Sequence, residues 1–153
     1  MPVRMQRSAF TLIEVLIVVV IISVLAAVII PQVTDCSDDA KSSSLKHNLY
    51  TMRAQIEMYK LSHGGAVPAL QNGTLDQLIS ATDASGTIGA PGATFPFGPY
   101  IAGGKFPVNP FDQKSTVSST AVFPPTATTA AGGWLYHERS GQIAANTVGH
   151  LND

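Results

Sequence analysis

Apolar residues form one unbroken run near the start of the chain. From Phe10 to Ile30 a single residue, Glu14, carries a charge. As a helix, this run rises ~1.5 Å per residue and reaches roughly 31 Å, close to the thickness of the hydrocarbon core of a bilayer. The pattern therefore predicts a membrane-spanning helix over residues 10–30.

After Pro31 the chain becomes polar, but its apolar residues keep a helical spacing. They recur every three or four positions and define one stripe along a helix. The members of this stripe are Leu45, Leu49, Met52, Ile56 and Tyr59. Gly64 and Gly65 follow and are a typical C-terminal stop signal. Because a proline removes one helical hydrogen bond, we expect Pro31 to bend a single long helix, from about residue 10 to residue 63, without ending it.

The second half of the chain is rich in Gly, Pro, Ala, Ser and Thr and contains the signals of short strands. Asn72-Gly73 is a typical turn, and residues 75–79 are expected to form a short helix capped by Thr74. A turn at residues 139–141 separates the last two strand patterns. The strand patterns cover residues 100–101, 117–123, 134–138 and 142–145.

A small sheet built from these strands is the only predicted element large enough to cover the apolar stripe of the helix. Trp134 and Tyr136 alternate along one strand, which favours a place in the core over ligand stacking. The predicted fold class is therefore α+β, with a long, kinked N-terminal helix packed on a small antiparallel C-terminal sheet.

Composition excludes several classes of function. The chain has 153 residues, enough for one domain of ordinary size. Nine Lys and Arg stand against ten Asp and Glu, which leaves no basic surface of the kind that nucleic-acid binding needs. The single cysteine, Cys36, excludes an intrachain disulfide and a multi-cysteine metal site. A free thiol, an intermolecular link and a small buried side chain remain open for it.

The charges on either side of the apolar run predict its orientation. Arg4 and Arg7 precede it, and the positive-inside rule then places Met1 in the cytoplasm and the chain after Pro31 outside. We expect a single-pass protein of the cytoplasmic membrane with a periplasmic or other extracytoplasmic domain. A cleaved secretory signal is the competing interpretation, with Leu25-Ala26-Ala27 as an imitation of its cleavage site, but the apolar core of such a signal usually has ~7–15 residues, and this run is longer and continues beyond Ala27.

Glu14 requires an explanation because a carboxylate inside a membrane span costs on the order of 2.5–3.5 kcal/mol on insertion scales. Such a residue is a functional candidate by default. The alternative is a Glu one turn from the helix start that snorkels to the interface and gains from the positive end of the helix dipole. The residue alone leaves both explanations open.

The remaining polar residues do not form a catalytic pattern. The four histidines, His47, His63, His137 and His150, share no metal-ligand spacing, which favours structural or exposed roles. The sequence contains no serine elbow, no Cys/His pair suited to catalysis and no phosphate-binding glycine loop. We therefore expect no enzyme activity, no cofactor and no metal.

The segment from Ala9 through Phe10 and Glu14, followed by a long apolar helix and Pro31, resembles the class III signal segment of type IV pilins and type II secretion pseudopilins. The resemblance implies a pilin fold. It also implies that a prepilin peptidase cuts between Ala9 and Phe10 and N-methylates the new amine of Phe10. That amine is then expected to pair with Glu14 of a neighbouring subunit and to set the register of a filament. Ala9 departs from the Gly that the family usually has there.

The second half of the chain resembles the major pseudopilin of type II secretion systems more weakly. The similar segments are residues 98–101, 105–111, 132–136 and 141–146. That family often binds calcium through acidic C-terminal loops, but residues 115–133 contain no acid here, and hard cations need several oxygen ligands. We therefore predict no calcium site.

These observations define an expected organisation and two classes of function. The chain is expected to have a leader over residues 1–9, a transmembrane and polymerisation helix over 10–30 and an extracytoplasmic domain over 31–153. In the structural class it is a pseudopilus subunit that drives protein export, or alternatively a pilin or minor pilin of a surface type IV pilus. Its implied partners are copies of itself, a prepilin peptidase, the inner-membrane assembly platform and the lipid bilayer. The other class is a monomeric, signal-anchored binding module.

Overall fold

The computed structural model of this protein describes residues 10–153, apart from the side chains of residues 28–36. The described residues form two α-helices, five short strands and one turn of 3-10 helix at Ala102–Gly104. In chain order the α-helices and strands are α1 (Leu12–Ser62), α2 (Asp76–Ile79), β1 (Ala81–Thr82), β2 (Ile88–Gly89), β3 (Val117–Ser119), β4 (Trp134–His137) and β5 (Gln142–Ala145). The fold class is α+β, as predicted.

Helix α1 has 51 residues and confirms the prediction of one continuous helix. It ends at the double glycine, where Gly64 has a φ of 63° and the Gly65 amide donates to the Lys60 carbonyl at 2.8 Å. This bond satisfies a carbonyl that the last turn leaves without an intrahelical partner, which is why glycine is favoured at this place.

Pro31 lies inside α1, so the predicted continuity through it is confirmed, whereas the bend stays a prediction because this side chain is outside the described ones. The side chain of Cys36 lies outside them too. In the described part of the chain, no helix was found that is long and apolar enough to span a bilayer. The predicted span includes residues 28–30, whose side chains are not described.

The chain forms two compact units, with the division after Ala40. The second unit contains the last part of α1, α2 and all five strands. The apolar stripe of α1 lies in this unit and is buried as predicted, each member being at most 2% exposed. Around it lie side chains from α2, its N-cap residue and the strands, which form one core with it: Leu75, Leu78, Val117, Trp134, Tyr136 and Ile143.

The larger sheet has the order β3-β4-β5 and is mixed, which corrects the prediction of an antiparallel sheet. Strands β4 and β5 form the predicted antiparallel hairpin, with Trp134 opposite Ala145. Strand β3 instead runs parallel to β4, with Val117 opposite Trp134. The physical reason is the long connection over residues 120–133, because a parallel pair needs a crossover of about a dozen residues or more whereas a tight turn enforces an antiparallel pair.

Three local predictions need correction. Thr74 does not cap α2, since the N-cap residue is Leu75 and no side chain bonds there; the Thr74 hydroxyl donates to Asp76 Oδ1 at 2.6 Å. Residues 100–101 are not a strand, because the amides of Tyr100 and Ile101 both donate to the Leu78 carbonyl. The strand predicted over residues 117–123 ends at Ser119.

Candidate assembly site

The N-terminal end of α1 is built by a reciprocal capping arrangement. Thr11 precedes the first helical residue, and its hydroxyl oxygen accepts from the Glu14 amide at 3.3 Å. In return, Glu14 Oε2 accepts from the Thr11 amide at 2.8 Å. This is the capping box, in which two amides that a helix start leaves unpaired are satisfied by side chains three residues apart.

A third bond joins the same two side chains, since the Thr11 hydroxyl donates to Glu14 Oε2 at 2.7 Å. Among the residues that the structure describes, the hydrogen bonds to the Glu14 carboxylate both end on Oε2. The carboxylate lies in the first turn of α1, where its negative charge is favoured by the helix dipole. Within one chain, Glu14 thus stabilises its own helix start, a role that the Thr-x-x-Glu spacing signals and that the sequence analysis missed.

The other predicted processing and assembly residues are only partly described. Phe10 precedes α1 and is 80% exposed. Ala9 lies outside the described residues. Of the predicted processing and assembly residues, the structure therefore describes the side chains of Phe10 and Glu14. Pro31, the predicted kink, contributes a helical backbone and no described side chain.

The first half of α1 presents apolar side chains on every side. Each large apolar residue from Phe10 to Leu25 is at least half exposed. Soluble monomeric domains rarely expose apolar surface of this extent, so this segment requires an apolar partner, either lipid or other helices. An apolar rod with one carboxylate in its first turn is an arrangement suited to insertion and to helix–helix association, and it offers no catalytic geometry.

The polar residues of the second unit serve its packing. The Tyr136 hydroxyl donates to the Pro68 carbonyl at 2.8 Å, and burial, with a smaller contribution from Glu138, raises its pKa above the usual range. His63 stacks on Tyr59 with ring centroids 3.8 Å apart and contacts the Thr82 hydroxyl oxygen at 3.1 Å. These groups fix neighbouring segments and are enclosed, which is unlike an acid–base pair that faces a substrate.

The long loop before β4 is held by a second polar cluster that the sequence analysis missed. Asp112 Oδ2 accepts from the Gly133 amide at 2.7 Å, and Lys114 Nζ donates to the Ala131 carbonyl at 3.0 Å. Asn146 Nδ2 donates to the Gly132 carbonyl at 2.9 Å. Within the described residues, no three or more His, Cys, Asp or Glu side chains are grouped so that they could hold a metal ion.

Comparison with known proteins links the N-terminal segment to a family. A family model described as the prokaryotic N-terminal methylation motif matches residues 4–30. The competence protein ComGC of Bacillus subtilis is 35% identical over 66 residues, which are 43% of this chain and 67% of that protein. The chain therefore belongs to the type IV pilin-like family.

The chain is also similar to proteins of type II secretion systems. The type II secretion system core protein G of Pseudomonas aeruginosa is 44% identical over 76 residues, which are 50% of this chain and 52% of that protein. The protein of the same name from Klebsiella pneumoniae is 33% identical over 81 residues, or 52% of this chain and 56% of that protein. The chain thus spans about half the length of these secretion relatives. No solved structure matches the chain.

Proposed function

We propose that this protein is a structural subunit of a type II secretion pseudopilus, a filament that drives protein export. The observation that carries the proposal is the exposed apolar half of α1 with Glu14 in its first turn, inside a segment that matches the N-methylation motif. Such a helix has to be covered by an apolar partner, and copies of itself supply one. The proposed role is mechanical, and no step of it is catalytic.

Before assembly, we propose that lipid covers residues 10–30. Arg4 and Arg7 then hold the N-terminus in the cytoplasm, and the domain after Pro31 lies outside the cytoplasmic membrane. A prepilin peptidase cuts between Ala9 and Phe10 and methylates the new amine, which leaves a single positive charge four residues before Glu14. The peptidase and an inner-membrane assembly platform are the partners that this route requires.

In the unassembled subunit, the capping box fixes the hydrogen bonds of the Glu14 carboxylate. Glu14 Oε2 is bonded to Thr11, while the second carboxylate oxygen can receive a charged donor. In the proposed filament that donor is the Phe10 amine of a neighbour, which reaches Glu14 only when the subunits are staggered along the axis. Charge pairing thereby offsets the cost of a carboxylate in an apolar surrounding, about 2.5–3.5 kcal/mol, and sets the register.

The first experiment separates the assembly role of Glu14 from its capping role. Glu14→Leu removes both, Glu14→Gln keeps a capping group without the charge, and Thr11→Ala removes the cap but keeps the charge. We expect Glu14→Leu to be inserted and cleaved normally while the yield of sheared filaments falls at least about tenfold, with partial recovery in Glu14→Gln. Thr11→Ala should stay near the wild-type yield, because losing a cap costs only about 1 kcal/mol of helix stability.

Membrane level, leader cleavage and filament yield are measured for all four proteins. Normal assembly by Glu14→Leu would contradict the proposed pairing of Glu14 with a neighbouring subunit. Glu14 would then be a residue that snorkels to the membrane interface. An equal loss in Thr11→Ala would assign the effect to the helix start instead of the charge. A wild-type protein that stays monomeric in an active secretion strain would favour the signal-anchored binding module.

A second candidate is a subunit of a surface or competence-type pilus. The similarity to a competence protein, of which the chain covers 67%, favours it. Genes for a secretion ATPase and a secretin beside the gene for this chain would support the pseudopilus. A deletion strain discriminates further, because loss of one exported protein from the medium with an unchanged surface pilus supports the secretion role.

A further inference from the structure

Helix α1 carries a second apolar stripe on the side opposite the core. Tyr50, Met58 and Leu61 are 75%, 53% and 79% exposed, and the exposed Ala54 lies between the first two. These positions are spaced by four, four and three residues, so they form one line along a helix. At 100° per residue the line is centred about 180° from the buried stripe of Leu49, Met52, Ile56 and Tyr59. We call residues 50, 54, 58 and 61 the outer stripe.

A helix that faces water carries its charges on the side opposite the core. Here the charged residues alongside the outer stripe lie on one flank of the helix, where they make contacts within the subunit. Arg53 donates to the Ile143 carbonyl at 3.1 Å and to the Asp153 main-chain oxygen at 2.6 Å. Lys60 pairs with Glu57 at 2.8 Å. The outer stripe itself therefore contains no charged side chain.

The area of the outer stripe indicates what covers it. Its exposed side chains present on the order of 300–500 Å², whereas a stable interface of standard size buries about 800 Å² on each partner. The stripe is too small to hold a free partner or a solution dimer by itself. It is sufficient as one contact in an assembly whose members are already held by another interface, because that interface has already offset the entropic cost of association.

The stripe belongs to the same helix whose N-terminal half is the proposed polymerisation segment. We propose that the outer stripe is a second subunit–subunit contact, covered by another copy of this chain in the assembled filament. The inference rests on the proposed function and deepens it, since it assigns the globular unit its own part in assembly. Burying these side chains then stabilises the filament without being required for membrane insertion.

The test uses the full chain in a strain that forms the filament. Met58→Gln combined with Leu61→Gln makes the stripe polar and keeps good helix formers at both positions. Val148→Gln is the matched control, because Val148 is 83% exposed and lies outside α1. We expect the double variant to insert, to be cleaved and to melt like the wild type, while filament yield falls at least about fivefold. Val148→Gln should keep the wild-type yield.

A photoreactive phenylalanine derivative placed at position 61, and separately at position 148, identifies the occupant directly. We expect position 61 to give an adduct of two copies of this chain in assembled filaments, and position 148 to give far less. Adducts of position 61 with a different protein, or a wild-type yield from the double variant, would overturn the inference while the wild type still assembles. A wild type that forms no filament would overturn the proposed function and this inference together.

Discussion

Tyr136 is a residue whose single polar atom fixes two distant parts of the globular unit. Its ring is fully buried in β4, and its hydroxyl donates to the Pro68 carbonyl, 68 residues earlier in the chain. Burial raises the pKa of this hydroxyl, so it keeps its proton and stays a donor at every pH of biological interest. The hydrogen bond thereby anchors the segment after α1 to the sheet.

Tyr136→Phe should lower the free energy of unfolding by about 1–3 kcal/mol, because it leaves the buried Pro68 carbonyl without a donor. Tyr50→Phe is the matched control, since Tyr50 is 75% exposed and its hydroxyl can bond to water. Urea denaturation followed by tryptophan fluorescence measures both. An equal effect of the two substitutions would contradict the assigned role of the Tyr136 hydroxyl.

Residues with a local signature were predictable, and residues whose partners are distant were not. The Thr11-x-x-Glu14 capping box depends on residues three apart and was available from the sequence. Asn109 is different. It is fully buried and donates to the Gly133 carbonyl and the Thr147 hydroxyl oxygen, at separations of 24 and 38 residues. Only the folded chain brings these groups together.

At the scale of elements, the helix was predictable because its pattern is local. The spacing of Leu45, Leu49 and Ile56 predicts a buried face without knowledge of what covers it, and all three are at most 1% exposed. Strand pairing depends on the connections, and the parallel pairing of β3 with β4 follows from a long loop whose course the sequence does not reveal. Strands β1 and β2 have two residues each, too few for any periodic pattern.

Truncation of the buried face tests the packing of α1. Leu49→Ala and Ile56→Ala should each cost about 2–5 kcal/mol, because each leaves a cavity in a closed core. Lys46→Ala should cost less than about 1 kcal/mol, since this side chain is 65% exposed and its ion pair with Asp153 is 4.0 Å long. Thermal or urea unfolding of the three variants provides the comparison. Similar losses at position 46 and at the two core positions would contradict the burial pattern.

At the scale of the whole molecule, the two halves of α1 have different surroundings. Apolar residues before Leu25 are exposed on all sides, whereas those after Leu45 are divided between the core and the outer stripe. The first half is suited to a partner outside the subunit, and the second half builds the subunit itself. In the proposed function, this division lets the first half of α1 insert into lipid and assemble while the second half folds with the domain.

The mature N-terminus is a prediction for the whole molecule, because assembly in the proposed function begins with leader removal. We expect the native protein to start at Phe10 and to carry one N-methyl group, which adds about 14 Da, the mass of a CH₂ unit. Mass spectrometry of protein isolated from membranes measures this, with material from a prepilin peptidase deletion strain as the control. A start near Val28, or an intact Met1 in the wild-type strain, would exclude the assigned processing site.

The bonds between α1 and the last strand also determine when the domain can fold. Arg53 reaches the Ile143 carbonyl across 90 residues and Asp153 across 100. Strands β4 and β5, which complete the core, are synthesised long after α1, and contacts of such sequence separation form slowly. During synthesis the buried face of α1 stays uncovered until the final hairpin emerges. The domain therefore cannot close before the β4–β5 hairpin has been synthesised, and in the proposed function a nascent chain without this hairpin is not yet a finished subunit.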